Sequence, residues 1–102
     1  MKAFETLTVN DTAKALSPGI YGANIVGGRP LEIANKATIL VEGASMRYRV
    51  DGSDPTTTIG LLANNGDVIT LLGRNEIKLF RAIRTTGTDA IISCDYSHTK
   101  EI

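Results

Sequence analysis

The chain has 102 residues, 42% apolar and 22% charged, and its 11 Lys and Arg balance its 11 Asp and Glu. This is the size and composition of one globular domain with its own core. It excludes a disordered chain, and it excludes a bulk positive field that would draw in nucleic acid or anionic membrane.

Met1-Lys2-Ala3-Phe4-Glu5 leads into polar residues instead of an apolar run of signal-peptide or membrane-spanning length. A soluble protein without an export signal is therefore expected. Phe4 to Val9 (FETLTV) alternates Phe4, Thr6 and Thr8 with Glu5, Leu7 and Val9, which suits a half-buried strand near an N-terminal arm. Residues 17–36 carry Pro18, Gly19, Gly22, Gly27, Gly28 and Pro30 around the apolar patch Ala23 to Val26. A connection this long inside a small domain points to a binding segment, or else hides a short strand or two around Ile20-Tyr21 and Asn24 to Val26.

Ala37 to Glu42 (ATILVE) is a β-branched run of core-strand type. From Ser45 to Val50 the alternation is clean, with Met46, Tyr48 and Val50 on one side and Arg47 and Arg49 on the other. Asn64-Asn65-Gly66 is turn chemistry before the strand Asp67 to Leu72, because Asn and Gly tolerate positive φ. The stretch Glu76 to Thr85 fits two periods. It is read as a strand from about Lys78 to Arg84, entered through a helical turn at Asn75 to Ile77. Asp89 to Tyr96 is the last strand. Strands with a turn signal every ten residues or so predict an all-β fold. A single β-sandwich, jelly-roll-like or immunoglobulin-like, or a compact barrel, of about seven or eight strands would suit them. The expected core is Ile39, Val41, Met46, Tyr48, Val50, Val68, Leu71, Phe80 and Ile91.

Residues suited to bond-making chemistry are scarce. Asp51-Gly52-Ser53-Asp54-Pro55 lacks the further oxygen ligands of a calcium loop and reads as a turn. A zinc site wants several His or Cys, and the chain has only His98 and Cys94. The single cysteine also rules out an internal disulfide and fits a reducing compartment. Cys94 is expected to pack as a small apolar group and His98 to sit in a solvated tail. No phosphate-cradling glycine motif and no nucleophile elbow occur. No enzyme, no cofactor and no metal are expected. Arg47, Arg49, Arg74, Lys78, Arg81 and Arg84 would form a basic stripe if the later strand lay beside the earlier one. The plainer expectation is a solvated face balanced by Glu42, Asp51, Asp67 and Glu76.

The segments VEGASMRYRVDGSDPTTTIG and NNGDVITLLGRNEIKLFRAIRTTGTDAIISCDY, with the opening TLTVNDTAKALSPGIYG, resemble small proteins encoded in the structural-gene clusters of tailed bacteriophages. The shared elements are R-Y-R-x-D-G, D-P-T, G-D-x-I-x-L and F-R-A-I before a final strand ending at Tyr96. The resemblance covers most of the chain and implies a β-sandwich virion protein of the capsid decoration or cement type. Such a protein would be made in the host cytoplasm and located on the capsid surface. It would bind the major capsid protein and self-associate into a small homo-oligomer, with no membrane or nucleic-acid partner. Ile20, Tyr21, Asn24, Ile25, Val26, Arg29, Arg47 and Arg49 are then the expected partner contacts. The alternatives are a neck, tail or fibre-associated module, a small DNA-binding barrel using the arginines, and a cupin-like enzyme suggested only by G-D-x-I-x-L.

Overall fold

Side-chain alternation decides which residues of each strand face the core, and the rows of buried residues follow it closely. The computed structural model describes residues 2–17, 20, 24–26, 29–32 and 34–97, with the backbone alone for 2, 3, 24–26 and 29–32. The described strands are β1 (Lys2–Val9), β2 (Lys14–Ala15), β3 (Asn24–Val26), β4 (Arg29–Glu32) and β5 (Lys36–Glu42). They continue with β6 (Met46–Arg49), β7 (Leu61–Ala63), β8 (Val68–Leu72), β9 (Arg81–Arg84) and β10 (Ala90–Ser97). One short helix, α1 (Arg74–Leu79), lies between β8 and β9.

Two four-stranded antiparallel sheets form the body. One has the order β1-β10-β5-β8 and the other β2-β9-β6-β7, while β3 and β4 pair with each other as a separate hairpin. With that hairpin set aside and the other strands renumbered one to eight in chain order, the sheets read 1-8-3-6 and 2-7-4-5. This is the strand order of a jelly roll, in which the chain folds back on itself as two Greek keys. The β3–β4 hairpin is an insertion between the second and third strands of that roll.

Between the sheets lie Val9 from β1, Ala37, Ile39 and Val41 from β5, Ile69 and Leu71 from β8, and Ile92, Cys94 and Tyr96 from β10. Met46, Ala63 and Ala82 come from the facing sheet, and Ile77 and Phe80 from α1 and its end. Tyr48 stacks on Phe80 with ring centroids 5.6 Å apart, a contact worth about 1 kcal/mol beyond the area it buries.

The all-β sandwich expected from the sequence is what forms, with more and shorter strands than the seven or eight anticipated. Four points are corrected. Val68 and Ile91, expected in the core, are 60% and 41% exposed. Their strands present Ile69 and Leu71, and Ala90, Ile92, Cys94 and Tyr96, to the interior instead. The helical part of Glu76 to Thr85 is longer than one turn, so the strand begins only at Arg81. Ile77 and Phe80 sit three residues apart on one helical side, and both are buried. Strand β7 lies in a stretch to which the sequence assigns no element, between the turn at Asp51 to Pro55 and that at Asn64 to Gly66. From Lys2 onward the supposed N-terminal arm is strand β1, hydrogen-bonded to β10 over its whole length.

Candidate functional site

Alternation along β6 turns Met46 and Tyr48 toward the core and Arg47 and Arg49 away from it. The antiparallel register with β9 then places Arg81 directly across from Arg49 and Ile83 across from Arg47. On the other side Leu62 of β7 pairs with Arg47. The later strand does lie beside the earlier one, and three of the six basic residues singled out in the sequence share one face.

That face is not an open comb of cations. The Arg47 guanidinium donates from Nε to the Thr57 carbonyl at 3.1 Å and from Nη1 to the Gly60 carbonyl at 2.9 Å. Arg49 grips both carboxylate oxygens of Asp51. Arg81 donates to the carbonyls of Lys78 and Phe80 at 3.1 and 2.8 Å, satisfying acceptors at the end of α1. Arg84 pairs with Asp89 at 2.6 Å. Of the four acids expected to balance the stripe, only Asp51 does so. Asp67 accepts the Asn64 amide, Glu76 accepts the Leu72 amide, and Glu42 lies 3.5 Å from the Ser93 hydroxyl.

The segment 51–60 is a built loop held by these arginines. Asp51 also accepts the Ser53 amide at 3.1 Å. The Arg49 hydrogen bond, followed by that amide, holds its carboxyl below the usual aspartate range. The Gly52 amide donates to the Leu79 carbonyl, and Pro55 is buried. Gly60 sits at φ +134, with the Pro55 Cβ, Arg47 Cβ and Tyr48 carbonyl crowding the place a Cβ would take. The carboxylate of Asp51 is therefore committed to the turn. Among the described residues no group of His, Cys, Asp and Glu could hold a metal ion.

Between this loop and the end of β6 lies an open groove of about 370 Å³. Tyr48, Val50, Ile59 and Leu61 give it apolar walls, and the Arg49–Asp51 pair sits at its rim. Ile59 and Leu61 are more than half exposed. Sequence reading passed over both. The signal was present in the apolar run Ile59-Gly60-Leu61-Leu62, hidden by the three threonines ahead of it.

A second polar assembly lies half-buried on the inner side of β1. Glu5 accepts the Tyr96 hydroxyl at 2.5 Å, the Ser17 hydroxyl at 2.6 Å and the Ser17 amide at 3.1 Å. Burial, then the bond to Glu5, raises the Tyr96 phenol far above its ordinary range. Burial and the nearby Glu5 charge push the Cys94 thiol up to about 12. A thiol that keeps its proton this firmly is a packing group and a poor nucleophile.

The expected contact residues fall into two groups. Arg47 and Arg49 share the face just described. Asn24, Ile25 and Val26 lie on β3 and Arg29 on β4, where Val26 pairs with Arg29 and the register shifts between Asn24 and Ile25. Ile20 is 37% exposed. Tyr21 and His98 lie outside the described residues. Among the described residues the hairpin pairs with neither main sheet, so the two groups are not joined by strand pairing. No described helix is long and apolar enough to cross a membrane. Comparison with protein families, curated proteins and solved structures gave no match.

Proposed function

We propose that this chain is a virion structural protein that seats on the outside of a phage capsid and stabilises the shell through contacts with the major capsid protein. The strand order carries the reading: a jelly roll with a hairpin inserted between its second and third strands. Jelly rolls recur in viral shells, which is an analogy of fold, and it agrees with the resemblance of the sequence to small phage structural proteins. A lattice-bound subunit works through repeated surface contacts. The reading places one such contact on the inserted hairpin, which carries Asn24 to Val26 and Arg29, together with Ile20, and another on the groove bordered by Ile59 and Leu61. Binding only to the expanded lattice would stabilise it by mass action, and many copies would make a modest single-site affinity sufficient.

The test is co-sedimentation of the purified protein with expanded, undecorated capsids, using the full chain and a variant lacking Ile20 to Gly28. The expected result is saturable binding at a fixed number of copies per capsomer, lost in the variant while its thermal unfolding stays close to that of the full chain. Absence of binding by a protein that purified virions still contain would move it to the neck or tail. Absence from virions would overturn the reading.

A further inference from the structure

The hydrogen-bond pattern of the first sheet shows which backbone groups of β1 are unused. Val41 donates its amide to the Asp67 carbonyl and accepts the Gly66 amide, so its polar groups face β8. Its neighbours Leu40 and Glu42 therefore turn toward β10, where they meet Ser93 and Ile91. The Ser97 carbonyl, which accepts the Asn35 amide, faces the same way. The alternate residues Ile92, Cys94 and Tyr96 then face β1 and bond Leu7, Glu5 and Ala3. This leaves the amides and carbonyls of Lys2, Phe4, Thr6 and Thr8 pointing away from the sheet. The edge closes only past Val9, where the Asn10 carbonyl accepts the Arg84 amide.

The other edges of the two main sheets are shorter. Strands β2 and β7 have two and three residues, and β8 ends with its Leu72 amide donated to Glu76 of α1. Strand β1 runs eight residues in unbroken register with β10, without a bulge or a proline. A bulge and a proline are two of the devices that guard an edge; the charges β1 carries are Lys2 at its start and the inward-facing Glu5, which is occupied by Tyr96 and Ser17.

We infer that β1 of a second copy of this chain adds to this edge, antiparallel and about a two-fold axis through Thr6, joining two sandwiches by a continuous eight-stranded sheet. Because opposed residues must share a face, the registers differ in steps of two. Pairing Thr6 with Thr6 puts Phe4 across from Thr8 in both directions and uses the amide–carbonyl sets of all three, leaving Lys2 at the end of the seam. It also sets Glu5 beside the other copy's Leu7. The next register places Glu5 opposite Glu5, a like-charge pair that opposes it. The opposite shift leaves Phe4 beyond the partner's strand. Phe4, 62% exposed, and the two threonines make the middle of the seam uncharged on its outer side, with Lys2 falling at its end opposite Asn10, and a formal net charge of zero gives two copies no bulk repulsion. This inference stands apart from the capsid reading.

The full chain is tested by analytical ultracentrifugation with amide exchange followed by NMR. A dimer is expected. Its Phe4, Thr6 and Thr8 amides should gain protection as concentration rises, while Glu5 and Leu7 stay protected at every concentration. Thr6→Pro removes an edge amide and leaves the ladder to β10 intact. It should raise the dissociation constant roughly 30-fold or more, the equivalent of two backbone hydrogen bonds per dimer. Thr6→Cys should cross-link on oxidation, because facing Cα atoms in such a pair lie about 5.5 Å apart. Thr38→Cys, on the same outer face but away from the edge, should not. If Thr6→Pro fails to fold, the cross-link and the exchange pattern decide. A monomer at high concentration overturns the inference. So does a dimer whose Phe4, Thr6 and Thr8 amides stay fast and whose Thr6→Cys form does not cross-link, as does protection of these amides only on adding another protein.

Discussion

Cys94 and Tyr96 lie two residues apart on β10, both facing the core and both holding their protons past the pH at which an unfolded chain would release them. The thiol rises from its ordinary 9.0 to about 12, and the phenol rises from 10.0. Below about pH 9 both groups are protonated in either state and add no pH dependence. Above it the unfolded chain loses protons that the folded one keeps, so stability falls as pH rises through the window from about 9 to 12. Urea unfolding at a series of pH values should be flat near neutrality and decline above pH 9, with a smaller slope in Cys94→Ala. A flat profile through pH 10.5 would contradict this account of the two groups.

At the scale of the element, the loop from Asp51 to Gly60 shows how arginines that look like a binding stripe become structural. Arg47 holds two loop carbonyls and Arg49 holds Asp51, so the loop depends on the close approach at Gly60. Gly60→Ala should cost about 2–3 kcal/mol, from the unfavourable φ and the crowded Cβ together. Gly66→Ala has a positive φ but open space around it, and should cost only about 1 kcal/mol. Equal losses in a denaturant titration would show that the crowding at Gly60 relaxes freely.

Strand β6 was readable because its residues alternate apolar with charged. Strands β8 and β10 are legible as strands, but Val68 and Ile91 face outward and not toward the core. In β8 both faces carry aliphatic side chains, Val68 and Leu72 against Ile69 and Leu71, so alternation gives little sign of which is inner; in β10 the alternation of Ile92, Cys94 and Tyr96 with Ser93 and Asp95 does mark the inner face, and Ile91 is the one aliphatic residue on the polar side. The threonines before Ile59 masked β7, and the glycines of residues 17–36 left a hairpin looking as much like a loop. The turn reading of Asp51 to Pro55 came from its own residues. The groove did not, because it is made by residues that meet only through the β6–β7 pairing.

For the whole molecule, the jelly-roll order is a matter of long-range pairing, and no local pattern encodes it. Strand β1 pairs with β10, and β10 also pairs with β5, so the first described strand meets the last. Folds dominated by such contacts fold slowly, in roughly milliseconds to seconds. Stopped-flow refolding should fall in that range. A chain ending before Ala90 should show no cooperative unfolding transition, since its first sheet would lack an inner strand. A cooperative transition in that truncated chain would contradict this dependence.

The position of β10 has a consequence for synthesis. On the ribosome β1, β5 and β8 all leave the exit tunnel before the strand that must lie between β1 and β5. Until it emerges, the nascent chain holds two separated halves of one sheet, with Ile39, Val41 and Leu71 uncovered. Folding of the body must therefore wait for release of β10. In that interval the growing chain is open to chaperones, and to the β1 edges of its neighbours on the same polysome.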